Sequence, residues 1–477
     1  MRSHLYPLLL LAATAAPLAA QPAYRYQTDF PPEEFRERHA RIYDAIGPGA
    51  LAILQGATVT AGFEVFRQSN QFYYLSGLET PQAYLVLDGG RRRATLYLPH
   101  RDPAKERNEG KTLSAEDEEL VRELTGVDAV LPLEDLPNVF RAGLMSPGAP
   151  VLFTPFCPAE LNMGSRDEQV SAELAAARDP FDGRPSREAA FLALLRAKFP
   201  RFELRDLSPI LDRMRAVKSP REIAVLRRAA RLAGLGLMEA MRSTAPGVME
   251  YQLDAAARYV FLVNGARGAG YPSIVGGGRN AWMGHYFHND RALQDGDLVL
   301  MDGAPDVACY TSDMARMWPV NGRFSKTQRE LCGFILEVHR VFLKKIRPGV
   351  TADQILQEAR PEIEAIVERT QFSKPIYERA AREAVDFTGH LSHPVGMAVH
   401  DSGGYRSSPL VEGVVLALDP MIWVPEEQLY IRVEDTVVVT EDGVENLTGF
   451  VPSDLDDIER LMSEPGLVEL RPAESPR

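Results

Sequence analysis

The chain has 477 residues, 45% of them hydrophobic, 25% charged and 8% aromatic, a balance that excludes a disordered, collagenous or coiled-coil protein and allows two or three cored units. Its formal charge of −13 argues against a general phosphate-binding surface, and so against nucleic acid as a partner. The three cysteines, Cys157, Cys309 and Cys332, form neither a close metal-binding pair nor a disulfide framework. Buried free thiols are expected, with one long-range bridge left open.

Arg2 and His4 precede an apolar run from Leu8 to Ala16, followed by Pro17, Leu18, Ala19, Ala20 and Gln21. That layout matches a secretory signal peptide over residues 1–20; an uncleaved membrane anchor is the alternative, disfavoured because the run is shorter than the roughly 20 apolar residues that span a bilayer. Cleavage near Ala20 predicts an exported chain, periplasmic or secreted, with no membrane attachment afterwards. From Ala50 to Pro99, LAILQG, FYYLSG, AYLVLDGG and ATLYLP read as short strands punctuated by Gly or Pro. The run Arg91, Arg92 and Arg93 reads as a solvated turn or strand end. Residues 115–142 and 186–198 carry helical spacing, and Asp179–Pro185 reads as a surface loop. At Ser219 a capping residue, Pro220 and Glu222 open a long amphipathic helix through Ile223, Leu226, Ala230, Ala233 and Leu237. The segments VVLALDP, LYIRVEDTVVVT and ENLT are read as β structure, and the residues beyond Pro452 as a solvated acidic tail. Asn446-Leu447-Thr448 also matches a glycosylation sequon.

Five segments of the second half place hard ligands or proton carriers beside strand or turn signals. In LVLMDGAPDVACYTSDMAR, Asp302 ends an apolar run and Asp313 follows eleven residues later, past an Ala-Pro-Asp turn. A hairpin there brings two carboxylates together, and like charges in an apolar setting need a compensating cation. LSHPVGMAVHD spaces His393 and His400 seven residues apart in an apolar stretch, suited to a metal ligand or a proton shuttle. VLALDP ends a strand at Asp419. In LYIRVEDTVVV, period-two alternation puts Arg432 and Glu434 on one face. GRNAWMGHYFHND offers His285, Tyr286 and His288. Three Asp, one Glu and one His make an oxygen-rich ligand set suited to Mn²⁺ or a similar ion, and a pair of such ions clamps a hydrolytic transition state. Spacing and chemistry alone reach a metal-dependent hydrolase.

With these residues in view, the sequence resembles the pita-bread metallopeptidases, within them the Xaa-Pro aminopeptidase (aminopeptidase P) and prolidase group, from about residue 35 to 452. FRQSNQFYYLSGLETPQAYLVL resembles a block of the family's N-terminal domain, RAVKSPREIAVLRRAA resembles the entry to its catalytic domain, and the five segments follow in family order. The resemblance implies an α+β protein, with an aminopeptidase P-like mixed α/β domain over 24–212 and a pita-bread (creatinase/aminopeptidase-like) catalytic domain over 213–453, between the signal peptide expected over 1–20 and the tail expected over 454–477. It implies two divalent metal ions, Mn²⁺ first with Zn²⁺ or Co²⁺ as alternatives, held by Asp302, Asp313, His393, Asp419 and Glu434, with Asp313 and Glu434 bridging. His285 and His400 match histidines that contact substrate and steady the oxyanion, and Arg432 matches an arginine supporting the site from behind.

One ligand position departs from the family pattern. Asp419 in LDPMIW stands where the family has a glutamate that is both ligand and proton shuttle, with Met421 and Trp423 in place of a glycine and a tyrosine. Aspartate is shorter by one bond, roughly 1.5 Å. Ala315 likewise replaces a usual threonine before Arg316. The resemblance implies an exopeptidase that releases the N-terminal residue from peptides with proline second, with His285, His400, Asp419 and Arg432 in the catalytic machinery and a dimer or tetramer as the working form; with the signal peptide, the expectation is an exported enzyme. Prolidase (an Xaa-Pro dipeptidase), a catalytically weakened peptide-binding protein, and a creatinase-like hydrolase of small C–N bonds stay open as alternatives. Methionine aminopeptidase is disfavoured, because that branch has no large N-terminal domain of this kind.

Overall fold

The computed structural model describes residues 26–58, 64–144, 150–161, 163–406 and 408–470, so the expected signal peptide lies outside the described residues. The N-terminal half runs α1 (Pro32–Ile46), β1 (Ala50–Gln55), α2 (Asn70–Ser76), β2 (Tyr84–Asp88), β3 (Arg93–Leu98), α3 (Pro103–Glu109), α4 (Glu118–Thr125), β4 (Ala129–Pro132), α5 (Leu136–Leu144), β5 (Val151–Thr154), α6 (Arg166–Arg178), α7 (Arg187–Lys198) and β6 (Glu203–Asp206). Its strands form one mixed sheet in the order β4-β3-β2-β1-β5-β6, antiparallel only in the β1-β2-β3 meander. Arg91 and Arg92 lie exposed in the β2–β3 turn, and Arg93 opens β3.

Two stretches of this half differ from the sequence expectation. FYYLSG forms α2, in which Phe72, Tyr73, Tyr74 and Leu75 are all buried. A short apolar run buried on every side has no periodicity to separate strand from helix, and Gly77, left-handed at φ 60°, closes the helix. Residues 115–142 are not continuously helical: α4 stops at left-handed Gly126, and the chain pairs as β4 along β3 before α5 begins.

The second half runs α8 (Ser208–Ala216), α9 (Pro220–Arg242), α10 (Glu250–Val263), β7 (Gly268–Ala269), β8 (Ile274–Gly277), β9 (Leu298–Asp302), β10 (Pro305–Asp306), β11 (Ala315–Pro319), α11 (Lys326–Lys345), α12 (Ala352–Arg369), α13 (Pro375–Val385), β12 (Val415–Leu418), β13 (Met421–Val424), β14 (Leu429–Arg432), β15 (Asp435–Val439), β16 (Val444–Asn446) and α14 (Leu455–Met462). Two helix groups are each followed by a three-stranded antiparallel sheet, β11-β9-β8 and β12-β15-β16, and a bridge between Ala315 and Glu434 joins the two sheets. The expected cap is present: Ser219 Oγ accepts from Glu222 N at 3.2 Å, and Glu222 Oε2 accepts from Ser219 N at 3.0 Å. Among the described residues no helix is long and apolar enough to cross a membrane. Cys309 and Cys332 are buried free thiols, and Cys157 is free and half-buried.

Three further differences follow. LYIRVEDTVVVT is two strands in different sheets, β14 paired with β13 and β15 paired with β12. The turn between Asp302 and Asp313 falls at Ala308 and Cys309, both left-handed, with Asp306 Oδ1 accepting from Cys309 N at 2.9 Å and Arg67 Nε donating to Asp306 Oδ2 at 2.6 Å. The stretch read as a solvated tail includes α14, whose Ile458 and Leu461 are buried where the helix packs on α9. Asn446 and Thr448 of the sequon both donate to Asp435, at 2.9 and 2.5 Å, so the triplet has a structural role of its own.

The two halves meet over a buried ionic network. Glu160 Oε2 accepts from Arg215 Nη1 at 2.6 Å and its Oε1 lies 3.1 Å from Arg166 Nη2, while Arg215 also pairs with Asp401. Burial alone would push the Glu160 carboxyl up, but Arg215 and Arg166 outweigh it and hold it at about 2, against an ordinary 4.5. A carboxyl depressed on folding stabilises the native state above its unfolded pKa, and that stability is lost as pH falls through the folded value. Urea melts are therefore expected to show stability falling between pH 4.5 and 2. Glu160→Gln should cost on the order of 3 kcal/mol at pH 7, as expected for breaking a buried ion pair, and should flatten that pH dependence; an unchanged melt at both pH values would contradict it.

Candidate metal centre

The sheet junction gathers the acids. Asp302 ends β9 opposite Ala315 of β11, and Ala315 also exchanges backbone hydrogen bonds with Glu434, at 3.3 and 3.1 Å. Asp313 lies two residues before β11 and is tied in by Tyr271, whose hydroxyl is 2.6 Å from Asp302 Oδ1 and 2.8 Å from Asp313 Oδ1. His393 enters from the segment beside β12: its carbonyl accepts from Ala417 N at 2.9 Å, and its Nε2 lies 3.2 Å from Asp313 Oδ2. Asp419 directly follows β12. Arg432, at the end of β14, hydrogen-bonds Asp302 and lies 3.5 Å from both Asp419 Oδ2 and Glu434 Oε2. Arg316 fixes this corner from below, donating to the Glu434 carbonyl at 2.6 Å and to Asp435 Oδ1 at 2.6 Å. All the expected acids, His393 and Arg432 thus converge on one buried cluster.

The cluster is over-supplied with carboxyl groups. Burial pushes Asp302 up to about 7 against the pull of Arg432, with Asp313 adding to the rise. Burial likewise raises Asp419, and raises Glu434 well above the carboxylate range, with Asp313 and Asp419 adding to the latter. Only Asp313 is held low: burial opposes this, but His393 and Arg432 prevail. His393 is raised in turn, because Asp313 outweighs the effect of its burial.

These residues fit a bound cation. Asp419 Oδ1 and Glu434 Oε2 are buried without a hydrogen-bond partner among the described residues. Asp313, His393 and Glu434 offer ligand atoms all within 4.8 Å of one another. Oxygen donors with a single imidazole are the chemistry of a hard or borderline divalent ion.

Beside the cluster, meeting it at His393, lies a cleft of about 540 Å³ lined also by Arg166, Asp167, His400, Ser402 and Arg406. The His400 ring is 4.4 Å from that of His393 and 6.0 Å from that of His285. Burial, His400 and Arg432 together lower the His285 pKa. Tyr286 and His288 do not join the site: Tyr286 donates to Asp290 at 2.7 Å, and the exposed His288 packs on Tyr286. Sequence reasoning missed Tyr271, a neutral hydroxyl between Gly270 and Pro272. His390, at H-x-x-H spacing from His393, is not among the residues that offer ligand atoms to the cluster. The His390 ring packs edge-on against Phe387 at 4.9 Å and lines a second, largely apolar cavity of about 300 Å³ with Ser392, Asp419, Met421 and Trp423.

Two sheets closing on a buried carboxylate–histidine cluster define a metallopeptidase of pita-bread architecture. Residues 224–441 match the model of metallopeptidase family M24, and residues 35–151 match the aminopeptidase P N-terminal domain. The Xaa-Pro aminopeptidase of Escherichia coli (strain K12) is 32% identical over 451 residues, spanning 90% of this chain and 97% of that protein. Proline aminopeptidase P II from Yersinia pestis superposes with a TM-score of 0.73 at 31% identity, covering 92% of this chain and 100% of that one. The structure of E. coli aminopeptidase P with the inhibitor Pro-Leu gives 0.72 at 30% identity, covering 91% and 99%. The chain belongs to the Xaa-Pro aminopeptidase family of M24 metallopeptidases and is a metallo-aminopeptidase.

Proposed function

We propose that this enzyme releases the N-terminal residue from peptides with proline in second position, at a centre of two divalent ions, Mn²⁺ first among them. The observation that carries the proposal is the convergence of Asp302, Asp313, His393, Asp419 and Glu434 on one buried cluster beside His400 and His285. Those five residues would hold the ions, which supply Lewis acidity for water activation and carbonyl polarisation. Arg432 orients Asp302, Asp419 and Glu434 through three contacts and limits their mutual repulsion. Asp419, whose Oδ1 has no hydrogen-bond partner among the described residues, takes the water proton and delivers it to the leaving amine. His400, on the cleft side, and His285 beside it hold the oxyanion and the substrate, and hydrogen bonds to developing charge favour the transition state over the substrate. Proline has a fixed φ and no N–H, so a rigid cleft gains complementarity with it that a flexible residue lacks.

The names of the relatives support this reading, and the Pro-Leu inhibitor of the E. coli enzyme accords with a proline-shaped site. A homo-oligomeric working form and export of the mature chain from Gln21 complete the proposal.

The test uses the mature protein, chelated and then given Mn²⁺, on a tripeptide with proline second, on its alanine-second twin and on an Xaa-Pro dipeptide. Metal-dependent cleavage of the proline tripeptide, at least about 100-fold faster than the alanine twin given the discrimination such sites reach, is expected. Cleavage of the dipeptide alone would overturn the aminopeptidase reading in favour of a dipeptidase.

A further inference from the structure

His400 is held at two points by the first turn of α6, a helix of the N-terminal half. Its backbone N–H donates to Ser165 Oγ at 3.2 Å, and its Nδ1 lies 2.9 Å from Asp167 Oδ2. The two contacts arise from positions two residues apart in one capping structure: Ser165 is the buried N-cap of α6, closed by a reciprocal bond from its own N–H to Glu168 Oε2 at 2.8 Å.

That turn is locked in place by Arg166, which lies between the two contact residues. Its Nη1 donates to both oxygens of Asp212 at 2.7 Å, and its Nη2 lies 3.1 Å from Glu160 Oε1. The His400 loop is anchored to the same buried scaffold, since Ser402 Oγ donates to Glu160 at 2.7 Å and Asp401 pairs with Arg215 and Lys218. Gly396 makes the loop's close approach feasible, because a Cβ there would sit 2.1 Å from Asp401 Oδ2. Histidine and carboxylate thus stand on one rigid frame built from both halves of the chain.

We propose that Asp167 is a positioning residue of the catalytic machinery: it receives the Nδ1 proton of His400, fixes the ring's orientation and tautomer, and so presents Nε2 to the substrate. A carboxylate on one imidazole nitrogen determines which nitrogen is offered to the reaction. Nε2 makes no hydrogen bond among the described residues, and His400 lines the same cleft as His393. The N-terminal half therefore does more than shape the cleft; it orients a group that works in it. The inference rests on the role given to His400 above.

The experiment measures kcat and KM on the proline tripeptide for Asp167→Ala, Asp167→Asn, His400→Ala and the Asp167→Ala/His400→Ala double variant, with melting temperatures throughout. Partners of this kind typically contribute 10–100-fold, and the low end applies because Asp167 is 62% exposed. Asp167→Ala should lower kcat about tenfold with little change in KM or melting temperature. Asp167→Asn, whose side-chain carbonyl accepts the same hydrogen bond, should recover most of that loss. In the His400→Ala background Asp167→Ala should cost nothing further. If His400→Ala is slow while Asp167→Ala keeps wild-type kcat, the proposal falls and the role of His400 stands. If Asp167→Ala costs its full tenfold in the His400→Ala background, Asp167 acts structurally and the proposal falls. Wild-type kcat in His400→Ala overturns the role of His400 and the proposal together.

Discussion

Glu434→Gln is expected to abolish peptide cleavage while making the metal-free protein more stable. Glu434 is buried between Asp313, Asp419 and Arg432, and its Oε2 has no hydrogen-bond partner among the described residues. An acid whose folded pKa lies above its unfolded value contributes less to stability as pH rises through the interval between the two. Glu434 is raised well above 4.5 by burial, with Asp313 and Asp419 adding, so the chelated wild type should lose stability as pH climbs from 4.5. The amide cannot ionise, so the variant should escape that loss and melt higher than chelated wild type at pH 8, with the gap closing at pH 4. Metal should reverse the order. An ion at 1,000 times its Kd adds about 4 kcal/mol to the native state, and this gain should appear in wild type and shrink in the variant. Cleavage should fall by roughly 10³-fold or more, the loss typical of deleting one member of a catalytic unit. A variant that melts lower than chelated wild type at pH 8 would show that Glu434 is accommodated without a cation.

What makes Glu434 costly in the metal-free fold is also what made the site readable in the sequence. Asp302, Asp419 and Glu434 sit at the ends of, or between, apolar β runs, where an acid has no packing reason to be. His393 and His400 interrupt a stretch that is otherwise apolar. Such residues are visible without a structure because burial of a charge demands an explanation. Tyr271 gave no such sign: a tyrosine buries readily for its ring, and only the fold shows its hydroxyl between Asp302 and Asp313. Asp167 was hidden for another reason, since its contact with His400 spans 233 residues and pairing across two halves of a chain leaves no periodic trace. The cap at Ser219 was legible because its parts lie within four residues. FYYLSG was misread because full burial erases the alternation that marks a strand. The α14 segment was misread because its acids drew attention away from Leu455, Ile458 and Leu461, which lie at helical spacing.

The departure at Asp419 leads to the sharpest functional contrast. Its carboxyl is buried, its Oδ2 is 3.5 Å from Arg432 Nη1, and its Oδ1 lacks a partner among the described residues. It therefore has one oxygen free for a ligand or a proton. Asp419→Ala and Asp419→Asn should both lower kcat by about 10²–10⁴-fold, the range for a positioned proton carrier, because neither side chain can carry the proton. Asp419→Glu should keep kcat within about tenfold of wild type. The longer side chain has room: Asp419 borders the cavity of about 300 Å³ shared with Leu391, Met421 and Trp423, so one added methylene need not displace packed neighbours. The measurements are kcat and KM on the proline tripeptide together with metal equivalents per chain. Metal content separates the two roles assigned to this residue. If Asp419→Asn keeps its metal and loses kcat, the proton role dominates; if it loses metal in proportion to activity, ligation does. Full kcat in Asp419→Asn would remove Asp419 from the proton path, and would mean that the shorter acid at this position is a spectator to catalysis.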